Sequence, residues 1–415
     1  MLELYFRAAR TITRFRASPA GLYLDDFAVA LRRARYGHVA GGHCLRQAVH
    51  FGRWADRQDI PVAAIDEWAI SEFETHLPEC RCVGHRAGSH VRAGAGVRAF
   101  LKYMRSAGLA APAPAVGRPE KVQEALDGFC DWMRSQRGVR DVTLRTYAPI
   151  VASLLDRLGT DPVCYTAGAL RGAVLDQAAG HGICWAKNIL TATRMYLRYL
   201  AAAGHCSPYL CDGIPKVAHW RQTTLPKHLA RTDVERLIES CRPAQRSGLR
   251  DRAVLLLLAR LGLRASDIVN LRLSDIDWAN GNFRVAGKGR VEARLPLPQD
   301  AGDALLAYIE GSRPEVGFDQ VFLSVRAPVR PLTTSGAVTG IVAQAIQRAG
   351  ISAPMRGAYL LRHSAACTML ADGASLTGIG VVLRHRSIET SANYARVDMH
   401  LLRQVAQPWP ELASC

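Results

Sequence analysis

The sequence predicts a mainly helical fold with one small β-sheet, and three observations support this prediction. Apolar residues recur at helical spacing in most segments of the chain. Residues 275–297 instead predict three short strands, two of which alternate apolar and polar residues. A chain of 415 residues is too long for one ordinary domain. We therefore expect helical domains followed by a C-terminal α+β domain.

An internal repeat organises the amino-terminal half. Residues 97–112 align with residues 193–208 at a constant offset of 96. The matched pairs are Arg98 with Arg194, Phe100 with Tyr196, Leu101 with Leu197, Tyr103 with Tyr199, Gly108 with Gly204, and Pro112 with Pro208. Proline-containing linkers at residues 110–115 and 214–227 separate the parts. The predicted parts are an N-terminal helical module at 1–112, a helical module of similar design at 119–213, and a third domain at 225–415.

The net charge favours a polyanionic partner. Lys and Arg number 53 against 36 Asp and Glu, which gives a formal net charge of +17. Such an excess favours nucleic acid, although a solvated basic surface gives the same composition. The sequence has neither an apolar run that could span a membrane nor the apolar core of a signal peptide. Eleven cysteines at irregular spacing favour reduced thiols and a cytoplasmic protein.

One pair of cysteines lies near histidines. Cys80 and Cys82 are followed by His85 and His90, and these residue types bind zinc. Their spacing fits no standard zinc pattern, and the sequence has no P-loop or dinucleotide-binding glycine motif. We therefore expect no metal site and no cofactor.

Basic side chains in the two helical modules are candidates for contacts with a DNA backbone. Contacts with phosphates position a protein on DNA without reading its sequence. A solvated face on a structural bundle is the alternative. The candidates are Arg98 and Lys102 in the first module, and Arg145, Lys187, Arg194 and Arg198 in the second.

Two motifs of the third domain each place a basic side chain at a turn. Gly262 ends a leucine-rich helix, and Asp267 helps to start the next, so Arg264 lies in the bend between them. There Arg264 could bind phosphate with Asp267 bracing it, or the two could simply pair at the surface. Glycines between two predicted strands place Lys288 at the tip of a hairpin. A lysine at a hairpin tip is usually solvated, but its ammonium group can also donate a proton to a leaving oxygen.

Residues 356–397 predict three short helices separated by tight turns. Ser387 is placed to begin the third helix as its cap. The three helices would deliver Arg362, His385 and Tyr394 from separate packed elements. An arginine, a histidine and a tyrosine brought together in this way form a plausible phosphate site with a nucleophile facing it.

Five motifs, taken together, resemble those of the tyrosine recombinase, or phage integrase, family. They occur in the family's order and at its spacing, and the resemblance covers about residues 225–410. Residues 119–213 also resemble the family's helical core-binding domain, whereas the first module is not standard. The five motifs are GLRASD at 262–267, the GKG hairpin at 287–289, LLRHS at 360–364, LRH at 383–385, and Tyr394.

The resemblance implies a mechanism and a role for each matched residue. Tyr394 would attack a DNA phosphate to form a 3′-phosphotyrosyl bond, which conserves the phosphodiester energy so that rejoining needs neither ATP nor metal. Arg264 and Arg362 would hold the nonbridging oxygens. Lys288 would protonate the leaving 5′ oxygen, and His385 would assist proton transfer or bind the phosphate.

Three positions depart from the family pattern. Tyr359 replaces the usual histidine three residues before the second arginine, and it could bind the phosphate or only pack. Arg384 replaces the usual glycine before the catalytic histidine, so we expect an altered turn and an added positive charge beside the site. Asp267 stands where glutamate is commoner, which is a mild change.

The function that the resemblance implies is site-specific recombination or integration of double-stranded DNA. Four protomers would assemble on two DNA sites, with related recombinases as further candidate partners. The additional N-terminal module favours an integrase of a mobile element. The short apolar C-terminal tail could dock on a neighbouring protomer or on its own chain. Two alternatives stay open, a DNA-binding relative that has lost catalysis and a type IB topoisomerase that relaxes supercoils.

Overall fold

The computed structural model describes most of the chain, which divides into two compact units. One unit is Pro112–Arg221, and the other comprises Met1–Ala111 and Gln222–Cys415. None of the described helices combines the length and the apolar character that crossing a membrane requires. The described residues are 1–80, 82, 93–112, 118–217, 225–245, 247–286, 292–385 and 387–396.

The N-terminal helices enclose an aromatic core. Phe27, Phe51, Phe73 and Phe100 are almost completely buried in it. A 3₁₀ turn at Val62–Ala64 precedes the fourth helix, whose N-terminus is capped by the carboxylate of Asp66 through the N–H of Ala69. The helices are α1 (Ala9–Arg16), α2 (Gly21–Arg33), α3 (His38–Arg57), α4 (Glu67–His76) and α5 (Ala93–Ser106).

The unit Pro112–Arg221 has a separate hydrophobic core around Phe129 and Tyr196. A 3₁₀ turn at Pro162–Cys164 precedes its third helix, whose N-terminus is capped by the side chain of Thr166. The helices are α6 (Glu120–Arg137), α7 (Asp141–Leu158), α8 (Ala167–Ala178) and α9 (Ile183–Ala202).

The repeat seen in the sequence extends to the order of the elements. Helices α2 to α5 and helices α6 to α9 each follow the order helix, helix, 3₁₀ turn, capped helix and helix, and the first set has a further 3₁₀ turn, Leu77–Glu79, before its last helix. Gly108 and Gly204, which the sequence alignment pairs, both have left-handed backbone conformations after the last helix, with φ of +69° and +76°. One difference is the connection before that last helix, which is residues 77–92 in the first set and residues 179–182 in the second.

The remaining residues form an α+β fold, as the sequence predicts. The three strands form one antiparallel sheet in the order β1, β2, β3. Its core is built around α11, whose leucine-rich sequence is buried on nearly all sides. The elements are α10 (Arg231–Glu239), α11 (Gly248–Leu261), α12 (Ala265–Asn270), β1 (Ile276–Asp277), β2 (Asn282–Ala286), β3 (Glu292–Pro296), α13 (Gln299–Gly311), α14 (Ser335–Ala349), α15 (Ala358–Ala371), α16 (Leu376–Val382) and α17 (Ile388–Ala395).

The last three helices form where the sequence predicts them. The hydroxyl of Ser387 accepts a hydrogen bond from the N–H of Glu389 at 3.2 Å and so caps α17. Leu383 and Tyr394 are buried together with Ala366 of α15 and Ile379 of α16 in one small apolar cluster. This cluster fixes α17 against the helix that carries Arg362.

Candidate active site

The turn between α11 and α12 positions the first arginine. Gly262 ends α11 in the left-handed conformation, with φ of +57°, and a Cβ at this residue would lie 2.3 Å from the Leu383 side chain. Arg264 then occupies the N-cap position of α12, and its N–H donates to the Asp267 carboxylate at 2.8 Å. Asp267 therefore braces the backbone of Arg264. Both the left-handed turn and the close approach of Leu383 favour glycine at residue 262.

Two guanidinium groups meet at one carbonyl oxygen. Arg362, which is only 2% exposed, donates to the carbonyls of Gly262 and Leu383. Arg264 donates from Nη2 to the same Leu383 carbonyl at 3.4 Å and to the carbonyl of Arg384 at 2.8 Å. Two arginines far apart in the sequence are thus held side by side by the loop that precedes His385.

Positive charges are concentrated around Arg362. Burial is the main cause that lowers the pKa of this guanidinium to about 10, and the neighbouring charges of Arg264 and Arg384 contribute in the same direction. Asp267 forms an ion pair with Arg384. Among the described residues, Arg264, Arg362 and Arg384 thus lie close together, and an anionic ligand would relieve their mutual repulsion.

Arg384 adopts a backbone conformation that favours glycine. Its φ of +54° lies in the left-handed region, which a residue with a Cβ adopts at a cost of about 1–2 kcal/mol. The backbone at residue 384 thus has a conformation that glycine adopts without strain, and the altered turn stays a prediction. The expected extra positive charge is present, and its guanidinium donates to the Asp267 carboxylate in a largely buried pair.

Tyr394 is buried between two histidines. The ring lies on α17 with 2% of its surface exposed, and its oxygen lies 3.1 Å from Nδ1 of His363. The ring of His385 is almost parallel to it, with an interplanar angle of 12° and 6.2 Å between ring centroids. Burial raises the pKa of the Tyr394 phenol above its usual value, and the charge of Arg362 opposes this shift.

His385 is oriented by the helix that follows it, α17. Its Nδ1 lies 2.8 Å from the hydroxyl oxygen of Ser391, a fully buried residue of α17. Burial, followed by the charges of Arg362 and Arg264, lowers the pKa of His385 to about 4. The imidazole is therefore neutral at pH 7, with Nε2 as the nitrogen left to meet a substrate.

His363 is a site residue to which the sequence analysis assigned no role. It follows Arg362 directly in the LLRHS motif, and burial and the Arg362 charge lower its pKa. Its ring also meets that of Tyr359, edge to face, at 4.3 Å. Tyr359 itself is 54% exposed. The signal that could have identified His363 is its place in a motif beside a buried arginine.

The structure brings together four of the predicted catalytic residues. Arg264, Arg362, His385 and Tyr394 share one region, with Asp267 and Tyr359 at its edges. Lys288 lies outside the described residues. The strands that flank it, β2 and β3, pair as predicted, with Val285 opposite Ala293.

The predicted DNA contacts differ in how their side chains are engaged. Arg98 forms an ion pair with Glu74 at 2.7 Å, and Arg194 donates to the carbonyls of Ile214 and Pro215 at 3.0 and 2.9 Å. Lys187 is half-buried, and the exposed candidates are Arg98, Lys102, Arg145 and Arg198. Arg194 therefore has a structural role within its own module, whether or not it also contacts DNA.

The chain is similar to integrase and recombinase sequences, in one case over nearly its whole length. Residues 227–400 match the model of the phage integrase family. The chain is 33% identical to "Putative integrase/recombinase y4rA" of Sinorhizobium fredii, over 99% of each protein. It is also 29% identical to the tyrosine recombinase XerD of Listeria innocua, over 68% of this chain and 97% of that protein.

Two solved structures have the same fold. One is the XerH site-specific recombinase bound to a palindromic difH substrate, in a post-cleavage complex. It has a TM-score of 0.54 and 20% identity, and the match covers 75% of this chain and 94% of that one. A lambda integrase dimer bound to a core site gives a TM-score of 0.51 and 19% identity, over 70% and 98% of the two chains.

The fold, the grouped site residues and these relatives define a tyrosine-type site-specific DNA recombinase. The chain belongs to the phage integrase family.

Proposed function

We propose that the protein cuts and rejoins DNA at specific sites through a 3′-phosphotyrosyl bond to Tyr394. The observation that carries this proposal is the meeting of Arg264 and Arg362 at one carbonyl, beside the His385–Tyr394 pair. The two guanidinium groups are suited to bind the nonbridging oxygens of a phosphate as these gain charge. Each such donor is typically worth about 3 kcal/mol of transition-state stabilisation.

The proposed reaction exchanges one ester for another. The Tyr394 oxygen bonds to phosphorus while the bond from phosphorus to the 5′ oxygen breaks, and that oxygen takes up a proton. Lys288 is the proposed donor of this proton, and His363 is the proposed acceptor of the phenol proton. The reverse steps, with a new 5′ hydroxyl as nucleophile, rejoin the strand without ATP.

The proposed reaction requires a rearrangement of α17. With 2% of its surface exposed, Tyr394 cannot reach a DNA phosphate from its position in this structure. The helix is short and is held by a small apolar cluster of four buried residues, so a modest shift would expose the phenol. We infer that binding of DNA drives this shift.

The proposed partner is double-stranded DNA bound by four protomers at two sites. XerH and lambda integrase, which share the fold, were solved bound to DNA, and lambda integrase also as a tetramer on a Holliday junction. The N-terminal module, with its repeated element order, is proposed as a duplicate of the core-binding module. The resemblance to the putative integrase/recombinase y4rA over 99% of the chain supports an integrase. Its proposed role is in a mobile element, and its proposed location is the cytoplasm.

A plasmid assay tests this proposal against its alternatives. A supercoiled plasmid would carry two copies of the DNA that flanks the gene, and recombination and relaxation would be measured together. We expect recombinant products from the wild type and none from Arg362→Ala. Relaxation without recombination would instead indicate a topoisomerase. DNA binding without either product would indicate a relative that has lost catalysis.

A further inference from the structure

Four side chains with metal-binding atoms meet in the N-terminal helices, far from the residues of the candidate active site in sequence. They are His50, His76, Cys80 and Cys82, and their ligand atoms all lie within 4.8 Å of one another. Nε2 of His50 is 3.3 Å from the sulfur of Cys80, and Nε2 of His76 is 3.4 Å from the sulfur of Cys82.

We propose that this cluster is a structural zinc site. Zinc bonds of about 2.3 Å to sulfur and about 2.0–2.1 Å to nitrogen, in a tetrahedron, place nitrogen and sulfur ligands roughly 3.6 Å apart. The observed separations of 3.3 and 3.4 Å are close to this value. Two cysteines with two histidines are among the commonest ligand sets of structural zinc.

Burial and ligand number assign the site a structural role. His50, Cys80 and Cys82 are only 2%, 4% and 6% exposed. Four protein ligands complete the tetrahedron, which leaves no position for water or a substrate. A zinc ion held in this way stabilises the fold and does not take part in strand exchange.

Arg57 donates a hydrogen bond to one of the four proposed ligands, Cys82. Nη2 of Arg57 lies 2.8 Å from the sulfur of Cys82. Hydrogen bonds from outside the ligand set orient the ligands of metal sites and offset the charge of zinc-bound sulfur. A hydrogen-bonded cluster of thiols and imidazoles without metal is the alternative, and it predicts no affinity for zinc.

The position of the cluster explains what the metal would stabilise. His50 lies in α3, His76 ends α4, and both cysteines follow α4. They begin the connection at residues 77–92, which in the second module is shortened to residues 179–182. Zinc would therefore fasten the start of this connection to α3.

The sequence could not reveal this ligand set. His85 and His90, the histidines considered with the cysteines, lie outside the described residues. The histidines that the structure brings to Cys80 and Cys82 precede them in the sequence. His76 ends α4, just before the cysteines, whereas His50 belongs to α3. The sequence analysis thus considered only the histidines that follow the cysteines, and the proposal differs from its prediction of no metal site.

Metal analysis of the reduced, full-length protein tests the site. We expect about one tightly bound zinc ion per chain, as measured by inductively coupled plasma mass spectrometry. We also expect cobalt(II) added to the metal-free protein to give the visible absorption bands of a tetrahedral site and a sulfur-to-cobalt charge-transfer band. Removing zinc with a chelator should lower the unfolding temperature of the wild type, and adding zinc should restore it.

Variants decide which side chains hold the metal. Cys82→Ser and His50→Gln should lose the bound zinc and the cobalt bands. The matched controls, Cys164→Ser and His43→Gln, should keep both, because Cys164 is exposed and His43 is an exposed residue of α3. A wild-type protein that binds neither metal would overturn the proposal, even if the variants failed to fold. Unchanged zinc content and cobalt spectrum in the double variant C80S/C82S would also overturn it.

Discussion

The phenolic oxygen of Tyr394 lies 3.1 Å from Nδ1 of His363, which directly follows the buried Arg362. Burial raises the pKa of the phenol and lowers the pKa of the imidazole, so both groups are neutral at pH 7. A neutral imidazole can accept the phenol proton as the bond to phosphorus forms. The hydrogen bond therefore suggests how a phenol with a raised pKa could become a nucleophile.

Replacing His363 with glutamine should slow strand cleavage. Glutamine keeps a polar group at this position but cannot take up the proton, and general-base catalysis is typically worth about 100-fold or more. DNA binding should be unchanged, and the defect should shrink as the pH is raised. The measurement is the rate at which covalent protein–DNA complexes form with H363Q and with H43Q as the control. A wild-type rate for H363Q would exclude His363 as the proton acceptor.

Replacing Gly262 with alanine should impair catalysis more than it impairs folding. Gly262 and Gly350 both have left-handed conformations, and this backbone conformation alone should cost alanine about 1 kcal/mol of unfolding free energy at either residue. Only at Gly262 would the new Cβ also meet the buried side chain of Leu383, at 2.3 Å, next to the carbonyls that hold Arg362. Gly350 has no neighbour within 4 Å of such a Cβ.

Urea unfolding and covalent-complex assays of both glycine variants make this comparison. We expect G350A to retain wild-type cleavage and G262A to lose most of it. Equal cleavage by the two variants would show that the contact with Leu383 does not control the position of Arg362.

Stability should fall as the pH is lowered from 6.5 towards 4. An unfolded histidine has a pKa of about 6.5, whereas that of His385 in the folded protein is about 4. In this interval the unfolded chain binds more protons, so the contribution of a neutral His385 is present above pH 6.5 and is lost on acidification. The lowered pKa of His363 acts in the same direction.

Urea unfolding at pH 7 and pH 5 tests this linkage. The H385Q variant should lose less stability between the two values than the wild type, whereas the exposed-residue control H43Q should match the wild type. An H385Q variant with the full wild-type pH dependence would contradict the assigned pKa of His385.

Alanine substitutions at two basic residues of α9 should have different effects on DNA binding and stability. Arg198 is exposed, so R198A should weaken DNA binding without changing stability. The slope of the logarithm of the binding constant against the logarithm of the salt concentration should become shallower by roughly the contribution of one phosphate contact. Arg194 holds two backbone carbonyls, so R194A should lower the unfolding free energy by about 1–3 kcal/mol. Salt-dependent binding isotherms and urea unfolding distinguish the two effects. Identical behaviour of the variants in both measurements would contradict this division of roles.

Features that depend on neighbouring residues could be predicted from the sequence. The helix cap at Ser387, the glycine turn at Gly262 and the hairpin of β2 and β3 all depend on signals within a few residues. The grouping of Arg264, Arg362, His385 and Tyr394 was accessible because five motifs together resemble one family, not because any single spacing required it.

Contacts between distant segments could not be predicted in the same way. Asp267 was expected to brace Arg264 or to pair with it; its carboxylate does brace the backbone of Arg264, but its ion pair is with Arg384. Similarly, nothing local shows that Arg194 meets the carbonyl of Ile214. These partners are set by how helices and loops pack, which local periodicity does not specify.

The most direct test of the account is to identify the residue that becomes bonded to DNA. Wild-type protein and Y394F would be incubated with nicked DNA covering the sequences that flank the gene, and covalent complexes would be digested and analysed by mass spectrometry. We predict a nucleotide joined through its 3′ phosphate to the peptide that contains Tyr394, and no covalent complex with Y394F. A covalent complex that persists in Y394F, or a nucleotide on another residue, would contradict the account.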